Sequence, residues 1–307
     1  MTVINAMKFN DKEGGMVADS QSSTSLRKYE FADKVGSICK GDLYLLLGGS
    51  GRTDILGEMR DRLFGFLNSE KGQEIKTARS AADVLSQMMT DYKRKAIEQY
   101  LISTYGVSSQ AALSGQGIDP KLHQVIMEAL TAQSKDAQET FNQWFLMIGK
   151  DSTGTSTYFI PMGCLPIFRA EPYTTIGSGS DESDKVLSSF IKGLGRSGRR
   201  NVVPLKGMKA LIRATNASSE VNQGVGGVPT ISYFNEKGIT ILGEDESRLA
   251  TEIVRVNDAR LIQDELAESC LETLLYQSGH LDEVETQAFK RAEPGYDRIM
   301  RFLRGYQ

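Results

Sequence analysis

The chain has 307 residues, of which 40% are hydrophobic and 24% charged, and its formal net charge is −3. That length supports one large domain with an extension or two modest ones, and the mix is that of a soluble globular protein rather than a disordered or fibrous one. Lysines are scattered and no basic stripe occurs, which argues against a nucleic-acid partner.

In chain order, residues 2 to 9 (TVINAMKF) and 16 to 20 (MVADS) are β-prone runs joined by the turn-rich NDKEGG, a hairpin signature. A second strand pair is expected at KVGSI (34 to 38) and DLYLLLGG (42 to 49). Its unbroken leucine run predicts a strand buried on both faces, inside a sheet. From Arg52 the apolar spacing of Ile55, Met59, Leu63 and Phe66 predicts a helix ending near Gly72. A stronger stripe over residues 79 to 103, carried by Leu85, Met88, Tyr92 and Leu101, predicts a second. SSQAALSGQG reads as an inserted loop, followed by a helix starting at Asp119 and Pro120. Strands are then expected with turns at GKDSTG and MGCLP, next helices at 181 to 192 and 204 to 217, then the hairpin TISYFNEKGITIL. From Glu244 the chain is helical and charged, with an amphipathic helix predicted over 258 to 277.

Several motifs are better explained without chemistry. The cysteines Cys39, Cys164 and Cys270 are far apart and lack metal-ligand spacing, so they read as small apolar residues in a reducing compartment. Two histidines, His123 and His280, are too few for a histidine triad or a zinc site. LLLGGSGRTD lacks the Gly-Lys-Ser/Thr ending of a phosphate-binding loop. GLGRSG at 193 to 198 follows a helix rather than a strand, so it reads as a helix cap and loop, with Arg196, Arg199 and Arg200 solvated or at a subunit contact. Neither a bilayer-spanning apolar run nor a secretory leader occurs, so the expected location is cytoplasmic, away from membranes.

Thr2 is the first residue with a chemical reading. Removal of Met1 places a free α-amine beside a hydroxyl that is a weak nucleophile on its own, and the amine then serves as its general base. Asp19 closes the second strand, Lys34 follows fifteen residues later, and Gly48 and Gly49 come fourteen after that. Asp19 and Lys34 could equally be a strand-end ion pair.

These stretches, with ADKVGSI, EPYTTIGSGSD and QGVGGVPTISYFNEKG, resemble the proteasome β-subunits and their bacterial relative HslV over most of residues 2 to 243. The resemblance implies an N-terminal-nucleophile (Ntn) hydrolase fold of class α+β, a four-layer α-β-β-α sandwich of two antiparallel sheets. Residues 1 to 243 would form that domain, with a helical insertion at about 104 to 140, and residues 244 to 307 a helical extension. It implies a threonine peptidase with no cofactor or metal: Thr2 as nucleophile, Lys34 lowering its proton affinity, Asp19 fixing the lysine, Ser178 bonding the amine and the Gly48 amide as oxyanion donor. Ser50 would lie near the first specificity pocket. It further implies self-assembly into a ring or related compartment, a polypeptide substrate and room for an ATP-driven unfoldase.

The sequence departs from that pattern in three places. Asn222 and Val225 stand where an acid and a serine are usual, and Thr2 and Asp19 are one residue further apart. An amide supplies no negative charge, so a degenerate scaffold subunit is one alternative expectation. An Ntn amidase or transpeptidase is another.

Overall fold

Alternation along the strands sorts the apolar side chains into three separate cores, and that sorting makes the layers. The computed structural model describes residues 2–23, 28–29, 34–130, 141–277, 280–290 and 295–304. Strands β1 (Ile4–Lys8) and β2 (Gly14–Ala18) form the expected hairpin, followed by the short pair β3 (Ser22–Ser23) and β4 (Lys28–Tyr29). Strands β5 (Val35–Lys40) and β6 (Leu43–Ser50) form the second hairpin. Then come helices α1 (Thr53–Asn68), α2 (Ala78–Tyr105), α3 (Ser109–Ser114) and α4 (Pro120–Leu130). Strands β7 (Trp144–Asp151), β8 (Gly154–Pro161), β9 (Ile167–Arg169) and β10 (Tyr173–Ile176) follow. After them run α5 (Ser180–Gly193), α6 (Gly195–Arg200) and α7 (Pro204–Val221). The last strands are β11 (Thr230–Asn235) and β12 (Gly238–Ile241), followed by α8 (Glu244–Asp258), α9 (Asp264–Tyr276), α10 (Leu281–Glu285) and α11 (Tyr296–Arg304).

One antiparallel sheet has the order β10-β1-β2-β11-β12 and the other β5-β6-β7-β8-β9. Between them Ile4, Met16, Leu46, Leu146 and Phe234 form the inner core. Leu45 and Leu47 point the other way, onto Ile55, Met59 and Leu85 of α1 and α2. The leucine run therefore feeds two cores at once, as its lack of alternation predicts. Outside the first sheet, Met7, Val17 and Ile231 meet Leu187 of α5, Met208 of α7 and the buried faces of α8 and α9. The result is the α+β four-layer sandwich of two antiparallel sheets expected from the sequence.

Local readings needed correction in five places. Gly14 and Gly15 belong to β2 rather than to the turn: a Cβ on Gly14 would meet Ile148 Cδ1 at 2.7 Å, and one on Gly15 would meet Met208 Sδ at 2.4 Å. These glycines mark close approach between layers. AALS is the short helix α3, N-capped by Ser108 Oγ accepting from Ala111 N–H (3.2 Å), not loop. It packs with α4 and the end of α2 on a small core of Leu101, Ala112 and Ile126, while residues 131–140 of the expected insertion lie outside the described residues.

The helix expected over 258 to 277 starts only at Asp264. Arg260, at φ 57°, breaks the path, and Asn257 Nδ2–H donates to Ile262 O (3.1 Å) across the turn. GRSGRR, expected as loop, is the short helix α6, which starts on the left-handed Gly195. Of the cysteines, only Cys270 is buried; Cys39 and Cys164 are exposed rather than apolar filling.

Candidate active site

The register of the first hairpin builds the site. Asp19 N–H donates to Val3 O (3.1 Å), which puts Asp19 opposite the residue after Thr2. Its Oδ1 accepts from Val3 N–H (2.9 Å) and from Lys34 Nζ (2.8 Å), and its Oδ2 accepts from Gly226 N–H (3.4 Å). Lys34 also donates to Gln21 O. Both side chains are sealed, 1% exposed for Asp19 and 4% for Lys34. Burial pushes the Asp19 carboxyl up and the Lys34 ammonium down, and their mutual attraction and hydrogen bond oppose both shifts. The expected ion pair is therefore an interior one, joined through a single carboxylate oxygen to the backbone beside Thr2.

The turn after β10 holds Thr2 from the other side. Thr2 N–H donates to Ser178 Oγ (3.1 Å), and Gly179 N–H donates to Thr2 O (3.1 Å). Gly177 has φ 99°, and a Cβ there would lie 2.2 Å from Thr2 O, so only glycine permits the approach. Ser218 of α7 braces the turn by donating its hydroxyl to Gly179 O (2.7 Å).

Thr2, Asp19, Lys34 and Ser178 thus converge, and Ser50 lines the same cleft as Thr2 and Ser178. Gly48 lies inside β6 between Val35 and Leu146, where a Cβ would meet Ile4 Cγ2 at 2.8 Å; the cleft lining starts two residues later, at Ser50. Asn222 caps α7 and gives its amide to Ser218 O (3.2 Å). It reaches the site through backbone, since Val225 N–H donates to Asn222 O (2.9 Å) ahead of the Gly226 amide. Val225 is buried against the Gly179 turn.

Sequence reasoning assigned no part to Gln21 O, to Gly226 N–H, or to the cleft residues Trp144, Phe159 and Arg169. The glycine pair after α7 was visible as a motif, but nothing in it revealed that one amide faces Asp19. Among the described residues no group of three or more His, Cys, Asp or Glu side chains could hold a metal, and no helix is long and apolar enough to cross a membrane.

Two antiparallel five-stranded sheets between helical layers, with a threonine at the start of a central strand, form a proteasome-like Ntn fold. No protein-family model and no curated protein matches the chain. Among solved structures it is similar to Anbu (ancestral beta-subunit) from Yersinia bercovieri, with 12% identity and a TM-score of 0.60 over 84% of this chain and 94% of that one. It is also similar to a mutant of Anbu from Hyphomicrobium sp. strain MC1, with 12% identity and a TM-score of 0.52 over 79% and 86%. These neighbours correct the resemblance drawn from the motifs: the likeness runs to Anbu (ancestral beta-subunit), which fits a proteasome β-subunit or HslV only loosely, and at this identity it is a likeness of fold.

Proposed function

We propose that the chain is a threonine-type peptidase that cleaves polypeptide amide bonds through Thr2, exposed by removal of Met1. The observation that carries this reading is the buried Lys34–Asp19 pair, bonded through Asp19 to the Val3 amide next to Thr2. A sealed pair costs desolvation on both ions and is poor economy as a mere stabiliser. A fixed positive charge beside a hydroxyl is useful because it lowers the hydroxyl's proton affinity.

In this reading the nitrogen that bonds Ser178 becomes an α-amine on loss of Met1. It takes the Thr2 Oγ proton as Oγ bonds to the scissile carbonyl carbon. The C–N bond then breaks, the proton passes to the departing amine, and water hydrolyses the ester to release the acid and regenerate Thr2. Residues 1 to 243 form the hydrolase domain with its insertion, residues 244 to 307 the extension, and copies of the chain enclose the sites in an oligomer in the cytoplasm. An ATP-dependent unfoldase is a partner for such a compartment.

Asn222 and Val225 favour a second reading, a scaffold subunit with a degenerate site, because neither supplies the acid or hydroxyl usual there. Intact mass with and without a threonine-directed β-lactone decides between them. Loss of Met1 and a single adduct, absent in Thr2→Ala, is the result expected of the peptidase. Retained Met1 with no adduct would leave the scaffold. Hydrolysis diverted to ligated product by an added amine would instead mark an amidase or transpeptidase.

A further inference from the structure

The cleft beside Thr2 has a volume of about 490 Å³, and among the described residues Arg169 is the one charged side chain in its lining. Arg169 ends the edge strand β9, opposite Thr157 of β8. Its guanidinium lies over the Phe159 ring at 5.3 Å, and Phe159 in turn packs against Trp144 at 6.4 Å between centroids. Both rings line the cleft with it. The side chain is half-buried, and its buried Nε–H meets no hydrogen-bond acceptor among the described residues.

Arg213 and Arg248, by contrast, are each paired with an acid, Asp258 and Glu244. Arg169 is stacked, partly stripped of water and given no acid of its own among the described residues. A guanidinium held that way keeps its planar fork of donors for an anionic occupant, and a carboxylate matches the fork in two parallel hydrogen bonds. The aromatic wall beside it accepts an aliphatic stem.

We infer that Arg169 makes the Thr2 cleft selective for peptides that bring a carboxylate into it. The inference rests on the peptidase reading for its substrate class. Two sources have the same chemistry: an acidic side chain near the scissile bond, or the free α-carboxylate of a short peptide.

Trp144 is the only tryptophan in the chain, so its fluorescence reports cleft occupancy without catalysis. In the Thr2→Ala protein, three matched tripeptides are titrated: one with Glu and an amidated end, one with Gln and a free carboxylate, and one with Gln and an amidated end. A carboxylate-bearing peptide is expected to bind about tenfold or more tightly than the fully neutral one, the size of one charge-assisted contact. The gap should narrow as salt rises. Tighter binding of the Glu peptide assigns the carboxylate to a side chain, and tighter binding of the free acid assigns it to a chain end.

Arg169→Gln is expected to erase the preference and Arg169→Lys to keep part of it, with circular dichroism checking that both fold. Equal affinity for all three peptides, no fluorescence change with any, or a preference that survives Arg169→Gln would each overturn the inference. The β-lactone adduct separates the two failures. Labelling of Thr2 without acid preference rejects the role of Arg169 alone, whereas acid preference without labelling rejects the peptidase and leaves a carboxylate-binding cleft.

Discussion

Lys34 and Lys209 are both buried lysines, and the fold treats them in opposite ways. Lys34 is closed in with a counterion that is itself 1% exposed, so neither charge touches water. Lys209 starts from the buried face of α7 but reaches Asp264 (3.0 Å) and Glu268 (3.8 Å), whose side chains are 75% and 33% exposed. Its stem fills the core while its head finds acids at the rim. The difference separates two uses of a buried cation. At the rim it straps α7 to α9 at little cost, whereas in the interior both ions lose their hydration, which makes sense only if the charge is wanted where it sits.

The sharpest way to break the comparison is Lys34→Met. It leaves Asp19 sealed and uncompensated, so urea unfolding should show a loss of about 3 to 5 kcal/mol, together with loss of the β-lactone adduct. Adding Asp19→Leu to that variant should recover part of the stability and none of the labelling. Recovery is partial because the Val3 and Gly226 amides still lose their acceptor. Full stability with labelling intact in the single variant would reduce the pair to scenery.

Tyr173 sharpens the comparison from a third direction, as a half-buried group on β10 beside the site. Burial, and then the hydrogen bond to Asp184 Oδ1 (3.0 Å), push its phenol up to about 12 from an ordinary 10. The folded state holds that proton more tightly than the unfolded one. Its contribution to stability is therefore complete below pH about 10 and lost as pH rises toward about 12. Denaturation midpoints measured across that window should fall, and Tyr173→Phe should flatten part of the fall. The smallest effect expected is that of Lys209→Met, at most about 1 kcal/mol in urea unfolding, because solvated Asp264 and Glu268 keep their water when the lysine goes. A loss as large as that of Lys34→Met would erase the distinction between the two lysines.

What could be read in advance follows the range of the interactions. The uninterrupted Leu45–Leu46–Leu47 run announced a strand serving two cores because burial on both faces is written into consecutive residues. Thr2, Asp19 and Lys34 could be singled out by their chemistry and spacing along the chain, whereas Ser178 entered only through the motif resemblance. The glycines of β2 misled because their small size answers to Ile148 and Met208, residues far away in sequence. The helix break at Arg260 was hidden by an apolar stripe whose Leu261 and Ile262 are buried from a turn. Arg169 was invisible for the same reason. Nothing near it in sequence says that β9 ends beside Phe159 and faces a cleft begun by residue 2.

The strand that follows Thr2 is flanked on one side by β2, close in sequence, and on the other by β10. The Ser178 contact spans 176 positions, and the Gly226 amide reaches back 207 positions to Asp19. Closures that long are slow, and they cannot begin before their second half has been synthesised. A growing chain therefore passes through most of its synthesis with Thr2 present but without the turn that grips it or the last amide that fixes its acid. The arrangement acts as a timer: the surroundings of Thr2 are complete only when most of the sandwich exists to contain them.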